Sequence, residues 1–205
     1  MKEVEINKTI KLSEHLASPS EAALSHSSEL DGLRLSPHFT LAELCKTSYH
    51  TLDGNIPSHV AIENLKRLCI WLEDLRFSYN ELYGDRREGV RREGELGSAA
   101  CYRRDARSRN DGEIPIIISS GYRSEEVNRK CGGAKGSNHL TGCAVDIKCY
   151  GPEQMIRMAG ILLDIADGTK RDFDELIQEK RGSTYWVHFA VRHSGNRRKI
   201  LFDCR

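Results

Sequence analysis

The sequence predicts an α+β domain whose sheet is mainly antiparallel, with helices flanking it. Two longer segments repeat their apolar residues at helical spacing. Short segments rich in β-branched and aromatic residues lie in the second half of the chain. The last three of these segments are joined by short turns that contain glycine, which favours antiparallel neighbours.

Capping residues and periodicity indicate the helices of the first half. Thr40-Leu41-Ala42-Glu43 has the spacing of a capping box, which predicts a short helix. Pro57-Ser58 can open a longer helix, because the apolar residues that follow recur at steps of four and three. Trp71 lies near this stripe, so we expect it in the core. The stripe consists of Ala61, Leu65, Leu68, Leu72 and Leu75.

The second half alternates strands with two further helices. Ser124 can cap a short helix through Asn128. Gly151-Pro152 begins a longer helix, since proline suits the first helical position, and Gly168 ends it. The predicted strands are Ile114–Ser119, Ala144–Cys149, Phe173–Glu179, Tyr185–Arg192 and Lys199–Asp203.

The length of the chain allows one full domain. It has 205 residues, and a domain usually takes roughly 100–200. Residues 1–35 are polar and show no sustained periodicity, so we expect a flexible N-terminal arm ahead of a single domain over 36–205. At about 84–112, arginine and acidic residues alternate with glycine, which predicts a charged insertion at the surface.

Charge and hydropathy argue against two classes of function. With 31 Lys+Arg against 30 Asp+Glu there is no cationic surplus, so we expect no nucleic-acid partner. The longest apolar run, Ile114–Ile118, is far shorter than the ~20 residues of a membrane helix, so we expect no membrane insertion. No signal peptide is visible, and the seven cysteines form no Cys-x-x-Cys pair, so we expect reduced thiols.

The residues best suited to chemistry are concentrated in the segment Ser137–Asp146. His139 and Asp146 are seven positions apart, and a turn at Gly142 would bring the histidine back beside the strand that carries the carboxylate. His188, in a later strand, is a third candidate ligand. Two imidazoles and one carboxylate are enough for a catalytic zinc site. The spacing alone leaves open that each is an ordinary polar, turn or capping residue.

Five short motifs occur in one order and at compatible spacing. They are Ser-Gly-Tyr-Arg-Ser (120–124), Asn128 with Gly132-Gly133, Ser-x-His-x-x-Gly-x-Ala-x-Asp (137–146), Phe-Asp-x-Leu-Ile-x-Glu (173–179) and Trp-Val-His (186–188). Together they resemble the M15 family of zinc D-alanyl-D-alanine carboxypeptidases and peptidoglycan endopeptidases, especially its small phage- and prophage-associated branch. The resemblance covers roughly 36–192 apart from the insertion, and it implies a hedgehog/DD-peptidase-like fold.

The same resemblance implies roles for individual residues. One zinc ion per chain would be bound by His139, Asp146 and His188. Arg123 would face the reacting carbonyl or the substrate carboxylate, which suits a guanidinium because it stays charged and donates in a fixed fork. Ser137 would form a hydrogen bond with substrate or support a ligand; its alternative role is to cap its own loop.

The general base is a separate question, because this chain departs from many relatives. They carry Glu three residues before the last histidine, where Tyr185 stands here. The resembling branch instead has Glu179, which we expect to take a proton from the zinc-activated water and return it to the leaving amine. Asp174 is the reserve candidate. Either acid could instead be a solvated charge at a strand end.

The expected function is therefore a zinc metallopeptidase that hydrolyses peptide stems of bacterial peptidoglycan. The sequence leaves open whether it is a carboxypeptidase or an endopeptidase. Two alternatives remain: a non-catalytic zinc-containing module that binds wall peptide or a protein partner, and a cysteine peptidase that uses Cys143 and His188. We expect a monomer, made in the bacterial cytoplasm, that acts on the cell wall after release or export.

Overall fold

Two long helices pack on one face of a five-stranded sheet in the computed structural model, which describes residues 32–84 and 113–204. Nearly all of the predicted arm and insertion lies outside these ranges, so both stay predictions. The helices are α1 (Leu41–Leu44), α2 (His59–Tyr83), α3 (Glu125–Lys130) and α4 (Pro152–Thr169), with a 3-10 helix at Asn138–Thr141. The strands are β1 (Ile118–Ser120), β2 (Ala144–Cys149), β3 (Glu175–Arg181), β4 (Thr184–Ala190) and β5 (Lys199–Cys204).

The capping residues predicted from the sequence begin these helices. Thr40 and Ser58 each accept a hydrogen bond from a backbone N–H in the first turn of α1 and α2. Ser124 does the same for α3, and Pro152 stands at the start of α4. Helix α4 ends at Thr169, so Gly168 lies within its last turn.

The order of strands in the sheet is β1-β2-β4-β3-β5, and all pairs are antiparallel except β3 with β5. The predicted α+β class with a mainly antiparallel sheet is therefore confirmed. Because β4 has β2 and β3 on its two edges, β5 cannot pair with β4. It pairs with β3 instead, and because both β3 and β5 run opposite to β4, that pair is parallel. The first strand begins later than predicted, at Ile118, and Pro115, which has no N–H to donate to a ladder, lies outside it.

Trp71 of α2 lies at the centre of the core. Its ring centroid is 5.2 Å from that of Phe189 on β4 and 6.5 Å from that of Phe173, which precedes β3. The predicted stripe of α2 is buried, and α4 packs against α2 and against β2, β3 and β4. One face of the sheet is thus covered by helices, and the opposite face carries the polar residues of the candidate site.

Asn80 joins the two chain ends that flank the segment 85–112. Its Nδ2 donates to the carbonyl of Ile114 at 3.0 Å, and its Oδ1 accepts from the N–H of Ile114 at 2.6 Å. Arg76, one turn earlier on α2, pairs with Glu113. The base of the predicted insertion is therefore fixed to α2 by the hydrogen bonds of one amide and by an ion pair.

A second polar cluster surrounds the fully buried carboxylate of Asp174. Arg197 donates to both of its oxygens at 2.8 and 2.7 Å, Arg192 lies 3.0 Å away, and Asn138 donates at 2.8 Å. Burial by itself would raise the pKa of Asp174, but the hydrogen bonds from Arg197 and Asn138 lower it below its usual value. Asp174 thus fixes the 3-10 helix and the loop after β4 to the start of β3.

We expect Asp174→Asn to destabilise the chain by about 3 kcal/mol. The substitution removes a buried negative charge, so Arg192 and Arg197 lose the carboxylate with which they pair. Urea denaturation at pH 7 measures the change. Asp167→Asn is the matched control: Asp167 is exposed and pairs with Arg198, so its loss should cost within about 0.5 kcal/mol. Equal unfolding free energies for the two variants would contradict this role.

The difference between wild type and Asp174→Asn should depend on pH in one direction. Because the pKa of Asp174 is lowered in the folded chain, its stabilisation is complete above the unfolded value of about 3.9. This stabilisation is lost as pH falls through the pKa that Asp174 has in the folded chain, because the wild-type carboxyl then becomes neutral, like the amide of the variant. The gap in unfolding free energy should therefore be constant between pH 5 and pH 7 and narrow below about pH 4.

Candidate metal centre

The 3-10 helix Asn138–Thr141 presents His139 to the sheet. Ser137 caps this helix, since its Oγ accepts from the N–H of His139 at 3.4 Å. Gly142 ends the helix in the left-handed region at φ +70°, and a Cβ there would lie 2.5 Å from the carbonyl oxygen of Ala61. The glycine turn predicted between His139 and Asp146 is therefore present, and close packing on α2 permits no side chain at its apex.

Asp146 and His188 meet because β2 and β4 are antiparallel neighbours. The register pairs Asp146 directly with His188, and on the next strand it pairs His188 with Ile177. Residues directly opposite each other in a sheet share a face. The carboxylate and the imidazole therefore lie side by side on the face away from α2 and α4.

Three potential ligand atoms converge in this arrangement. His139 Nε2 lies 3.2 Å from Asp146 Oδ1 and 3.2 Å from His188 Nδ1, and His188 Nδ1 lies 2.9 Å from Asp146 Oδ1. Ligands placed tetrahedrally at the usual zinc distances lie roughly 3.3 Å apart. All three side chains are buried. The donor set and its spacing thus fit three corners of a tetrahedral zinc site, with the fourth corner left for a water molecule or substrate.

The carbonyl of Gly121 selects the nitrogen that His139 offers. His139 Nδ1 lies 2.6 Å from this oxygen and donates its proton to it, so Nε2 keeps its lone pair for the centre. Gly121 approaches α1 so closely that a Cβ would lie 2.2 Å from the carbonyl oxygen of Leu44. The close packing of β1 against α1 therefore positions the outer hydrogen bond of a candidate ligand.

The electrostatics of the metal-free chain favour a cation at this point. Burial alone would raise the pKa of Asp146, but the neighbouring imidazoles of His139 and His188 hold it far below its usual range. Burial alone would lower the pKa of His188, but Asp146 and Glu175 raise it to about 9. The negative charges of Asp146 and Glu175 therefore favour a positive charge beside them, which a divalent ion would supply.

Arg123 lies beside the centre and contacts one of its candidate ligands. Its guanidinium is bonded to Asp146 Oδ2, and its Nε donates to Ser120 Oγ at 2.8 Å. Oδ2 is thereby occupied, and Oδ1 is left facing the two histidines. The Nη1 group of Arg123 forms no hydrogen bond with the part of the chain that the structure describes, so it is free to donate to a bound molecule.

Glu179 lies on the same face of the sheet as the centre. The register pairs it with Trp186, and His188 lies two residues further along β4. Partial burial is the main cause that raises the pKa of Glu179, and the negative charge of Asp146 raises it further. A carboxylate with a raised pKa near a metal site is suited to accept and return a proton.

The other predicted site residues lie in different surroundings. Ser137 lines a cleft of about 460 Å³ together with Lys135 and Arg192, and none of the three candidate ligands lines that cleft. Cys143 lines the same cleft, and its Sγ is 3.9 Å from the carbonyl oxygen of Thr141. Asp174, the reserve general base, is surrounded by its arginines and Asn138, as described above.

Glu175 is a residue of this face that the sequence reasoning did not select. Its Oε2 lies 3.6 Å from His188 Nε2. It shares its face of β3 with Ile177 and Glu179, so alternation along the strand could have indicated it. The contact with His188 is the main cause that lowers the pKa of Glu175, to about 2.

Two histidines, one aspartate and an adjacent arginine on an α+β scaffold define a metal-dependent hydrolase type of site. Residues 75–170 match the family model described as Peptidase M15, which supports an assignment to that family and a zinc-type peptidase in general terms. The matched range contains Arg123, His139 and Asp146, and it ends before Glu179 and His188. No curated protein matches the chain.

Among residues 32–84 and 113–204, no helix combines the length and the apolar composition that crossing a lipid bilayer requires. The longest of these helices, α2, has charged residues along its exposed side. This finding concerns the described helices alone.

We expect purified protein to retain one zinc ion per chain and His188→Ala to lose it. Removing a ligand should cost more than the roughly 10–100-fold in affinity that an outer residue typically costs. Mass spectrometry of metal content after dialysis, with competition against a chromophoric chelator, measures both. His193→Ala is the matched control, because His193 is exposed and lies five residues further along the chain. Equal zinc content in the two variants would contradict the assignment.

Proposed function

We propose that the protein is a zinc-dependent peptidase that hydrolyses peptide bonds in the stems of bacterial peptidoglycan. The observation that carries this proposal is the convergence of His139 Nε2, Asp146 Oδ1 and His188 Nδ1 within 3.2 Å of one another. The family assignment supports a peptidase, and the sequence motifs of the cell-wall branch support this substrate class.

In such a site zinc supplies a bound water of lowered pKa and polarises the scissile carbonyl. His139, Asp146 and His188 would hold the ion. Glu179 would take a proton from the attacking water and pass it to the leaving amine, a role that its raised pKa favours. Arg123, already held between Asp146 and Ser120, would donate its free Nη1 to the developing oxyanion or to a substrate carboxylate.

A cleft beside Arg123 offers room for part of the peptide. It has a volume of about 200 Å³ and is lined by Lys46, Tyr49, Ser120, Tyr122 and Arg123, among others. None of its lining residues is acidic, and two are cations. This composition favours a peptide group that carries a carboxylate. Whether that carboxylate is the free end of the stem or a side chain distinguishes a carboxypeptidase from an endopeptidase.

The residue at position 185 bears on the non-catalytic alternative. Tyr185 is the feature of the sequence that favours a non-catalytic module, because many proteins of the resembling family carry Glu there. Alternation along β4 places Tyr185 on the opposite face from His188, where it packs against the core. Even a glutamate at that position would point away from the centre. Glu179, on the face of His188, is therefore the better candidate for proton transfer in this chain.

The third hypothesis, a cysteine peptidase, lacks the contact it needs. Cys143 and His188 are both described, and no hydrogen bond joins them; the ring nitrogens of His188 face Asp146, His139 and Glu175 instead. We therefore expect a chelator, and not a thiol-blocking reagent, to inhibit the protein. For its route to the wall we propose synthesis in the bacterial cytoplasm followed by release or export, and we propose a monomer.

We expect Glu179→Gln to lower turnover of purified muropeptides by about 10²–10⁴-fold while it leaves the zinc content unchanged. Mass spectrometry of the products, with and without a zinc chelator, measures activity and identifies the cleaved bond by the mass that is lost. Glu153→Gln provides the matched control, because Glu153 is exposed on α4 and pairs with Arg157. It should match wild type in both readouts.

Three results would count against the proposal. Full turnover in Glu179→Gln would remove this residue from the mechanism. Activity that survives treatment with a zinc chelator would show that the metal takes no part in the reaction. Zinc-loaded wild type that cleaves no muropeptide would favour the non-catalytic module.

A further inference from the structure

Glu175 and Glu179 flank His188 on the same face of the sheet. On β3, Ile177 lies directly opposite His188, so the two glutamates occupy the diagonal positions on either side. Glu175 faces Nε2 at 3.6 Å. The candidate ligand atoms of Asp146 and His139 face Nδ1, the other nitrogen. Glu175 therefore contacts His188 on the side of the imidazole that faces away from the three candidate ligand atoms.

The carboxylate of Glu175 is held in place from three directions. Its Oε1 lies 3.0 Å from Arg197 and 3.2 Å from Lys199 of β5, and its Oε2 accepts from Asn138 at 3.0 Å. Asn138 is the neighbour of His139 in the chain. Glu175 Oε2, the oxygen that faces His188, is thus held by the segment that carries His139.

We propose that Glu175 positions His188 for metal binding: its carboxylate attracts the Nε2–H of the imidazole, so that Nδ1 turns its lone pair toward Asp146 and His139. A histidine can offer either nitrogen to a metal, and the partner of the other nitrogen decides which. For His139 that partner is the carbonyl of Gly121. For His188 it is Glu175, whose negative charge also strengthens the histidine as a donor.

The contact at 3.6 Å is an ion-pair distance, just longer than a direct hydrogen bond. The effect is therefore chiefly electrostatic, and removal of the charge is the informative change. Glu175→Gln keeps the shape and an acceptor oxygen but removes the charge. We expect it to weaken zinc binding by roughly 10–100-fold, the range for outer partners of metal-binding histidines. The full-length chain and zinc alone are sufficient for this measurement, which uses a competing chromophoric chelator.

Glu153→Gln is the matched control, since it makes the same substitution at an exposed glutamate of α4 and should bind zinc like wild type. Thermal unfolding of the metal-free variants separates a change at the centre from a general loss of stability. Weaker zinc binding in Glu175→Gln, with metal-free unfolding close to that of wild type, supports the proposal. Affinity within about twofold of wild type, well below the expected range, overturns it.

A second measurement needs no substitution and covers the case in which Glu175→Gln fails to fold. In zinc-loaded, ¹⁵N-labelled wild type, NMR of the imidazole nitrogens should show His188 bound through Nδ1, with Nε2 protonated and its proton protected from exchange. Coordination through Nε2 would overturn the proposal.

The inference rests on the metal site of the proposed function and not on the substrate. Wild type that binds no zinc would refute both, whereas zinc-binding protein without peptidase activity would refute the proposed function alone.

Discussion

The antiparallel register of β2 and β4 is the constraint on which the candidate centre depends. It places Asp146 opposite His188, and a shift by one residue would move either side chain to the face covered by helices. The register is itself fixed by burial, because Val145, Ile147, Val187 and Phe189 must face the core. The hydrophobic packing of one face therefore determines the polar geometry of the other.

His139 reaches the same point from outside the sheet, so its position depends on different contacts. The turn at Gly142, the carbonyl of Gly121 and the backbone hydrogen bond from Arg123 N to the His139 carbonyl (3.1 Å) fix its loop against β1 and α2. Asn138 then connects this loop to Asp174 and Glu175 at the start of β3. Each potential ligand atom is thus held by groups that are themselves fixed, an arrangement that metal sites require for tight binding.

The sequence correctly predicts those parts of the structure that depend on patterns within short segments. The stripe of α2, the boundaries of β2 and the glycine turn between His139 and Asp146 follow from periodicity and backbone chemistry within short segments. The parallel pairing of β5 did not follow, because it depends on which sheet edge remains free after the other strands pair. The role of Glu175 did not follow either, since it arises from contacts with residues at least 13 positions away. Alternation along β3 indicates only which face Glu175 lies on, and the contacts themselves leave no periodic pattern in one sequence.

The hydrogen bonds between Asn80 and Ile114 have a consequence for how this chain can change in length. They hold Ile114 beside Asn80 of α2, and the entropy of closing a connection between fixed ends grows only slowly with its length. Residues can therefore be added or removed there at small thermodynamic cost, while β1 still enters the sheet in the same place. This junction is accordingly a natural point for grafting a recognition module or a reporter domain onto the peptidase scaffold.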